Sequence, residues 1–360
     1  MQARPAKPDL AWLGGHRGLE SQVVPETGIP LRRLLLRSLR TVDPDLHAVL
    51  DPIRLALSVP QAVLFLLLRR PSAIFTTGGY VAVPTLLAAA LLRVPVVMWE
   101  GNVVPGRSVR LTARLSRCLA VSFEPACASL SRGKPCYVTG TPIRDAGLFD
   151  RRSARRSLGV GPKERLLLVF GGSQAVQRFN EAVTAALPAL VEKVRVLHVT
   201  GDAGYEAALA ARQALPEPVR ERYRPERFLR DEMAAALAAT DLVVGRAGSS
   251  TLAEVAAFGL PMVVVPYPHA AGHQRRNAEE MVRAGAAVLV EDADFDAAAL
   301  LAAAAILDDP RRHAAMAAAA RSLARPGAAA AVAELVLAAA ERRPFPAAES
   351  VEAMARGGAS

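Results

Sequence analysis

A chain of 360 residues exceeds what one hydrophobic core ordinarily serves, so two domains are expected, each with a core of its own. With 52% hydrophobic, 22% charged and only 5% aromatic residues, the composition excludes a largely disordered chain and fits an α/β protein. The formal charge of +10 is concentrated in residues 1–150, a bias that suits nucleic acid, anionic lipid or a phosphorylated substrate without choosing among them.

From the start, a short apolar strand over 10–13 meets a Gly14-Gly15 turn and a helix beginning near Gly18. Arg32, Arg33, Arg37 and Arg40 lie among Leu31, Leu34, Leu35 and Leu36, which reads equally as an amphipathic helix packed on its own domain or as a basic, apolar face for a membrane. Residues 55–68 form the longest apolar stretch, broken by Pro60 and flanked by Arg54, Arg69 and Arg70. It is shorter than a bilayer span, and a buried helix is expected, with a membrane-resting surface as the alternative. No signal-peptide pattern and no uninterrupted run of about 18 apolar residues is found, which makes the cytosol the expected compartment.

Further strand-to-loop units follow. Residues 73–75 run into Thr77-Gly78-Gly79-Tyr80, 95–99 into Glu100-Gly101-Asn102, and 118–122 closes the series. Cys118, Cys127 and Cys136 show no CxxC pair and no zinc-finger spacing, so reduced thiols are expected. After a polar break around 149–165 the pattern restarts: 166–170 leads into Gly171-Gly172-Ser173-Gln174 and a helix from about Asn180, with later strands at 194–199, 241–245, 262–266 and 287–290. Residues 296–341 are Ala- and Leu-rich at helical spacing, interrupted by Pro310 and Pro326, and 343–360 read as a flexible tail. The expected domains are 1–148 and 149–342. Alternating strands and helices imply parallel sheets with helices on both faces.

In such sheets ligands bind beyond the carboxyl ends of the strands. The Gly171-Gly172-Ser173-Gln174 turn fits a close approach to phosphate, or a tight turn and nothing more. Ser249, Ser250 and Thr251 open a helix after a strand, an anion seat, while Glu254 fits either a helix-capping carboxylate or an acceptor of two hydrogen bonds from a ribose diol. Gln274 and Asn277 lie three apart on one helix face, suited to sugar hydroxyls or to solvent. Arg144, in Gly140-Thr141-Pro142-Ile143-Arg144, fits a diphosphate counter-ion or a surface arginine.

In this order and spacing, these segments resemble the MurG family, the glycosyltransferases that add N-acetylglucosamine to the lipid-linked muramoyl-pentapeptide precursor of peptidoglycan. The likeness runs from about Ala11 to Arg325 and rests on Thr77-Gly78-Gly79-Tyr80, Gly140-Thr141-Pro142-Ile143-Arg144, Gly171-Gly172-Ser173-Gln174, the run from Arg246 to Glu254 and the helix with His273, Gln274 and Asn277. It implies the GT-B fold: two Rossmann-like α/β domains whose parallel sheets face a cleft, with the donor held mainly by the second. By position, Glu254 would hold the ribose, Ser249, Ser250 and Thr251 the diphosphate, Gln274 and Asn277 the sugar hydroxyls, and Phe228 and Leu229 the uracil, with Ser173 and Arg144 also facing the donor. Thr77, Gly78, Gly79 and Tyr80 would meet the acceptor. The substrates implied are UDP-N-acetylglucosamine and an undecaprenyl-linked muramoyl-pentapeptide at the cytoplasmic membrane leaflet, with no tightly bound cofactor, no metal and no nucleic acid.

Two departures stand out. Glu100-Gly101-Asn102 replaces the family's usual Glu-Gln-Asn, and the family's first strand with its Gly-Gly-Thr-Gly-Gly-His loop has no counterpart, because Gly14-Gly15-His16 follows the strand that matches the second one. The expectation is a start codon assigned too late, with a natural truncation as the alternative. With that histidine loop unmatched, Glu100 is the candidate base and Asn102 its neighbour in an inverting displacement of UDP by the acceptor's 4-hydroxyl. Rival readings are a relative glycosylating another lipid, a UDP-N-acetylglucosamine 2-epimerase on the same two-domain plan, and a donor-binding remnant without turnover. Asp292-Ala293-Asp294 is expected as a solvated turn away from the site.

Overall fold

The short apolar runs form parallel strands, as Val- and Leu-rich segments do when helices cover both sheet faces. The computed structural model describes residues 8–16, 20–36, 47–172, 177–229, 232–270 and 272–358. The chain divides into two units: the first comprises Met1–Glu100, Pro105–Val138 and Val332–Val351, the second Gly101–Val104, Thr139–Ala331 and Glu352–Ser360. The second unit therefore begins nearer Thr139 than residue 149, and it takes in Arg144.

In the first unit β1 (Trp12–Gly14) pairs in parallel with β2 (Leu31–Arg33). A separate parallel sheet runs β3 (Ile74–Thr76), β4 (Val96–Glu100), β5 (Cys118–Val121), β6 (Cys136–Val138) in that order. Val96, Met98, Leu119 and Val121 are buried against Leu86 and Ala89 of the helix Val83–Leu92 and against Ala62 and Leu66 of the helix His47–Arg69. Leu34 and Leu36 lie in this core, whereas Leu35 is 50% exposed, so only part of the expected basic, apolar face reaches the surface. Arg32 and Arg33 are exposed; Arg37, Arg40 and Gly18 fall outside the described residues.

The helix His47–Arg69 corrects one expectation. It passes through Pro52 and Pro60 without ending, is long and apolar enough by length and composition to cross a membrane, and only 17% of its apolar window is buried. Ile53, Leu57, Leu64 and Leu68 repeat at helical spacing and are all more than half exposed, so this is no buried core helix. The cysteines correct another: Cys127 and Cys136 are joined as a disulfide between the helix Glu124–Leu130 and β6, while Cys118 is a buried thiol pushed by its burial up to about 12.

The second unit carries β7 (Leu166–Phe170), β8 (Arg195–Val199), β9 (Tyr223–Glu226), β10 (Leu242–Gly245), β11 (Met262–Val264) and β12 (Ala287–Leu289), ordered β12-β11-β10-β7-β8-β9. The chain moves outward from β7 through β9, then returns to β10 on the other side of β7. Strand order thus reverses between β7 and β10, where a ligand crevice opens beyond the carboxyl ends. Register places Gly245 opposite Phe170, so the loops after both strands start level. The helix Gln177–Lys193 buries Phe179, Val183, Leu187 and Leu190 on one face, and Phe179 stacks 4.7 Å from Phe295.

The expected tail is a packed element. Phe345 lies against Tyr137, whose hydroxyl donates to the Pro346 carbonyl, and the helix Ala348–Ala355 buries Val351 and Ala355 completely. Gly327 donates its N–H to the Ala355 carbonyl, and a Cβ there would stand 1.9 Å from the Met354 carbonyl oxygen, so only glycine admits this seat.

Candidate active site

β10 ends at Gly245, and Arg246, Ala247 and Gly248 turn the chain into the helix Ser249–Ala257. Its N-cap is Gly248 in extended conformation, with no side-chain cap. The Ser249, Ser250 and Thr251 N–H groups therefore point out of the helix end, with the positive end of the helix dipole behind them. At the sixth position of the helix, Glu254 is too far along to cap it. Glu254 is partly buried, and burial raises its carboxyl above the usual range while the nearby Arg144 guanidinium pulls it back. Arg144 and Glu254, far apart in sequence, are thus brought within electrostatic reach of each other.

The loop is fixed from below by Arg246, which is 7% exposed. Its guanidinium meets Asp292 Oδ1 at 2.5 Å, donates to the Val265 and Pro266 carbonyls, and lies 4.8 Å from the Phe179 ring centre and 5.4 Å from that of Tyr267. Arg178 pairs with the other Asp292 oxygen at 3.3 Å. Asp292 is therefore the counter-ion of a buried arginine beside the candidate phosphate loop, which corrects the reading of a solvated turn. No local sequence signal joins residues so far apart.

The helix His273–Arg283 holds the loop from the side. Gln274 Oε1 accepts from the Ala247 N–H at 3.3 Å and the Tyr267 N–H at 2.9 Å, which turns its Nε2 outward as a donor. Asn277 is different: it is fully buried, with Oδ1 accepting from the Val103 N–H at 2.9 Å and Nδ2 donating to Asn102 Oδ1 at 3.0 Å and the Ala247 carbonyl at 3.2 Å. Both amide hydrogens are paired inside the protein, the Nδ2 group with Asn102 and Ala247. Phe228, 48% exposed, and Leu229 follow β9 at the same carboxyl edge of the sheet. Gly171 and Gly172 follow β7; Ser173 and Gln174 lie outside the described residues.

In the first unit, Thr77-Gly78-Gly79-Tyr80 follows β3. Thr76 Oγ1 accepts from the Gly78 N–H at 3.1 Å, and a Cβ at Gly78, whose φ is +75°, would come within 2.4 Å of Val109 Cγ2, so the turn requires glycine there. Glu100 ends β4, is buried, and its Oε2 accepts from the Gly106 N–H at 3.3 Å. Among the described residues, no three His, Cys, Asp or Glu side chains gather to hold a metal ion.

A doubly wound sheet with an uncapped helix end, a half-buried carboxylate and an arginine near its reversal point is the kind of site at which α/β proteins bind nucleotides. The glycosyltransferase family 28 C-terminal domain matches residues 166–334 and the family's N-terminal domain matches 5–121. A UDP-N-acetylglucosamine--N-acetylmuramyl-(pentapeptide) pyrophosphoryl-undecaprenol N-acetylglucosamine transferase of Moorella thermoacetica is 38% identical over 94% of this chain and 93% of its own length. The crystal structure of Acinetobacter baumannii MurG superposes with TM-score 0.72 at 26% identity, covering 91% of this chain and 90% of that one. The chain belongs to glycosyltransferase family 28 and, within it, to the MurG family, with the GT-B fold. A UDP-GlcNAc 2-epimerase from Neisseria meningitidis, with UDP-GlcNAc bound, shares the fold at TM-score 0.63 and 13% identity, over 92% of each chain.

Two outcomes follow from this geometry. If the charged form of Glu254 grips the nucleotide sugar, lowering the pH from about 7 to about 5 weakens UDP-N-acetylglucosamine binding in calorimetry sooner than an exposed carboxylate would, because burial has raised its pKa. Glu254→Gln flattens that dependence; a wild-type affinity constant across the range contradicts the assignment. Asp292→Ala leaves the Arg246 cation buried without its counter-ion and should cost about 3–5 kcal/mol, read as a lower denaturant midpoint.

Proposed function

We propose that this chain transfers N-acetylglucosamine from UDP-N-acetylglucosamine to the 4-hydroxyl of an undecaprenyl-pyrophosphoryl-N-acetylmuramoyl-pentapeptide, at the cytoplasmic face of the membrane. The donor half of this reading is carried by one observation: the open N-terminus of the helix Ser249–Ala257, with Glu254 and Arg144 beside it. Helix N–H groups and Arg144 take the diphosphate, the Glu254 carboxylate takes the ribose diol, Gln274 Nε2 donates to a sugar hydroxyl, and Phe228 and Leu229 line the base. Ser173 is assigned to the donor by its place in the sequence motif.

The acceptor hydroxyl oxygen attacks the anomeric carbon as the bond from that carbon to the phosphate oxygen breaks, so UDP leaves with the electron pair and the configuration inverts. Charge accumulates on the departing diphosphate, where preorganised N–H groups and Arg144 stabilise it. Glu100 accepts the hydroxyl proton and Asn102 orients it, with Thr77, Gly78, Gly79 and Tyr80 holding the acceptor. The lipid end of the acceptor suits the exposed Ile53, Leu57, Leu64 and Leu68 face of the helix His47–Arg69, bordered by Arg69 and Arg70, which favours an anionic leaflet.

The test supplies the purified full chain with sugar-labelled UDP-N-acetylglucosamine and the undecaprenyl acceptor. Label moving into the lipid phase, equimolar with released UDP, is the expected result. Release of UDP with the label left in water, or epimerised sugar, contradicts it.

A further inference from the structure

We propose that Asp292 is a positioning residue for diphosphate binding. Its two carboxylate oxygens, each paired with a different arginine, hold the turn before the helix Ser249–Ala257 and the start of the helix Gln177–Lys193 at a fixed spacing. The proposal rests on the donor reading above and adds a role for a residue which that reading does not use.

The turn Asp292–Asp294 follows β12, the edge strand two places from β10 in the sheet. Its own place is set on two sides. Val290 donates its N–H to the Val264 carbonyl at the end of β11, and Phe295, 1% exposed, stacks 4.7 Å from Phe179 of the helix Gln177–Lys193. From there the Asp292 carboxylate, 17% exposed, reaches both elements that continue from β10 and β7. Oδ1 meets Arg246, in the turn after β10, at 2.5 Å, and Oδ2 meets Arg178, at the second position of the helix after β7, at 3.3 Å. Arg178 also donates to the Ala293 carbonyl at 3.3 Å.

Ladder pairing between β7 and β10 ends at Phe170 and Gly245, so the loops beyond that level are no longer spaced by the sheet. In the donor reading the diphosphate draws on both of them, and it is held only as well as their spacing is kept. Asp292 bonds to the continuation of each. Arg246, 7% exposed, adds to the same tie, because its guanidinium lies 4.8 Å from the Phe179 ring centre, one residue from Arg178. An ion pair withdrawn from water resists separation, since either partner left alone would be a buried unpaired charge. A displacement of the helix start therefore carries through Asp292 to the turn that presents the open helix end.

The test compares the full-length protein with three variants. Asp292→Asn keeps the size and removes the charge; Arg178→Gln, at a half-exposed site, spares the buried Arg246 pair; Arg178→Lys keeps a cation for Oδ2. Calorimetry reads affinity for UDP and, by displacement, for uridine, which shares the base and ribose and lacks the diphosphate. Hydrogen exchange reads the peptide spanning residues 247–252. The proposal expects Asp292→Asn and Arg178→Gln to weaken UDP about 10-fold with uridine within about twofold of wild type, and Arg178→Lys to recover most of that loss. Exchange over 247–252 should accelerate in Arg178→Gln, although the substitution lies on another element. Unchanged UDP affinity, equal losses of UDP and uridine, or unchanged exchange overturns the proposal. Tighter UDP binding by Asp292→Asn also overturns it, since a released Arg246 would then be meeting the phosphate itself. A wild-type chain that binds neither UDP nor uridine would count against the donor reading alone, because exchange in the two Arg178 variants still judges whether Asp292 couples the two elements.

Discussion

The end of the helix Ser249–Ala257 that faces the strand-order reversal carries backbone N–H groups that no side chain caps. Such groups favour an anion, and a helix of this length concentrates them with its dipole. Keeping them open and in place sets the terms for the rest of the second unit. β10 and β7 end level with each other, Arg246 locks the turn to the end of β11 and to Asp292, and Gln274 and Asn277 hold Ala247 from the neighbouring helix. Beneath the loop, β7 and β10 are buried along their whole length, which gives it a close-packed base.

Charge is distributed to the same end. Arg246 lies in the loop before the open helix end, yet Asp292 neutralises it and two aromatic rings lie against it. Its contribution is thus rigidity more than field, whereas Arg144 acts on Glu254 through charge. The first unit uses charge differently: the exposed Arg69 and Arg70 border the apolar face of the helix His47–Arg69.

Much of this was legible in the sequence because the relevant signals are local. Apolar runs ending in glycine announced β7 and β10, and hydroxyl residues at a strand-to-helix turn announced the anion seat. β9, with Arg224 and Pro225 in Tyr-Arg-Pro-Glu, lacked the apolar run that marks a strand and is recognised only by its pairing with β8. Residues that depend on distant partners were misread: Asp292 on Arg246, Phe345 on Tyr137. The Pro- and Ala-rich end resembles a linker until the Gly327 seat that receives it is seen. Pro60 suggested a break where the helix His47–Arg69 continues.

The account turns on whether the open helix end and its half-buried carboxylate form the pocket for uridine diphosphate sugars. Calorimetric titration of UDP-N-acetylglucosamine into the full chain and into Glu254→Ala addresses it directly. Loss of two charge-assisted hydrogen bonds should weaken binding about 10- to 100-fold while the fold, read by its melting transition, persists. Equal affinity in the two proteins would place the donor elsewhere.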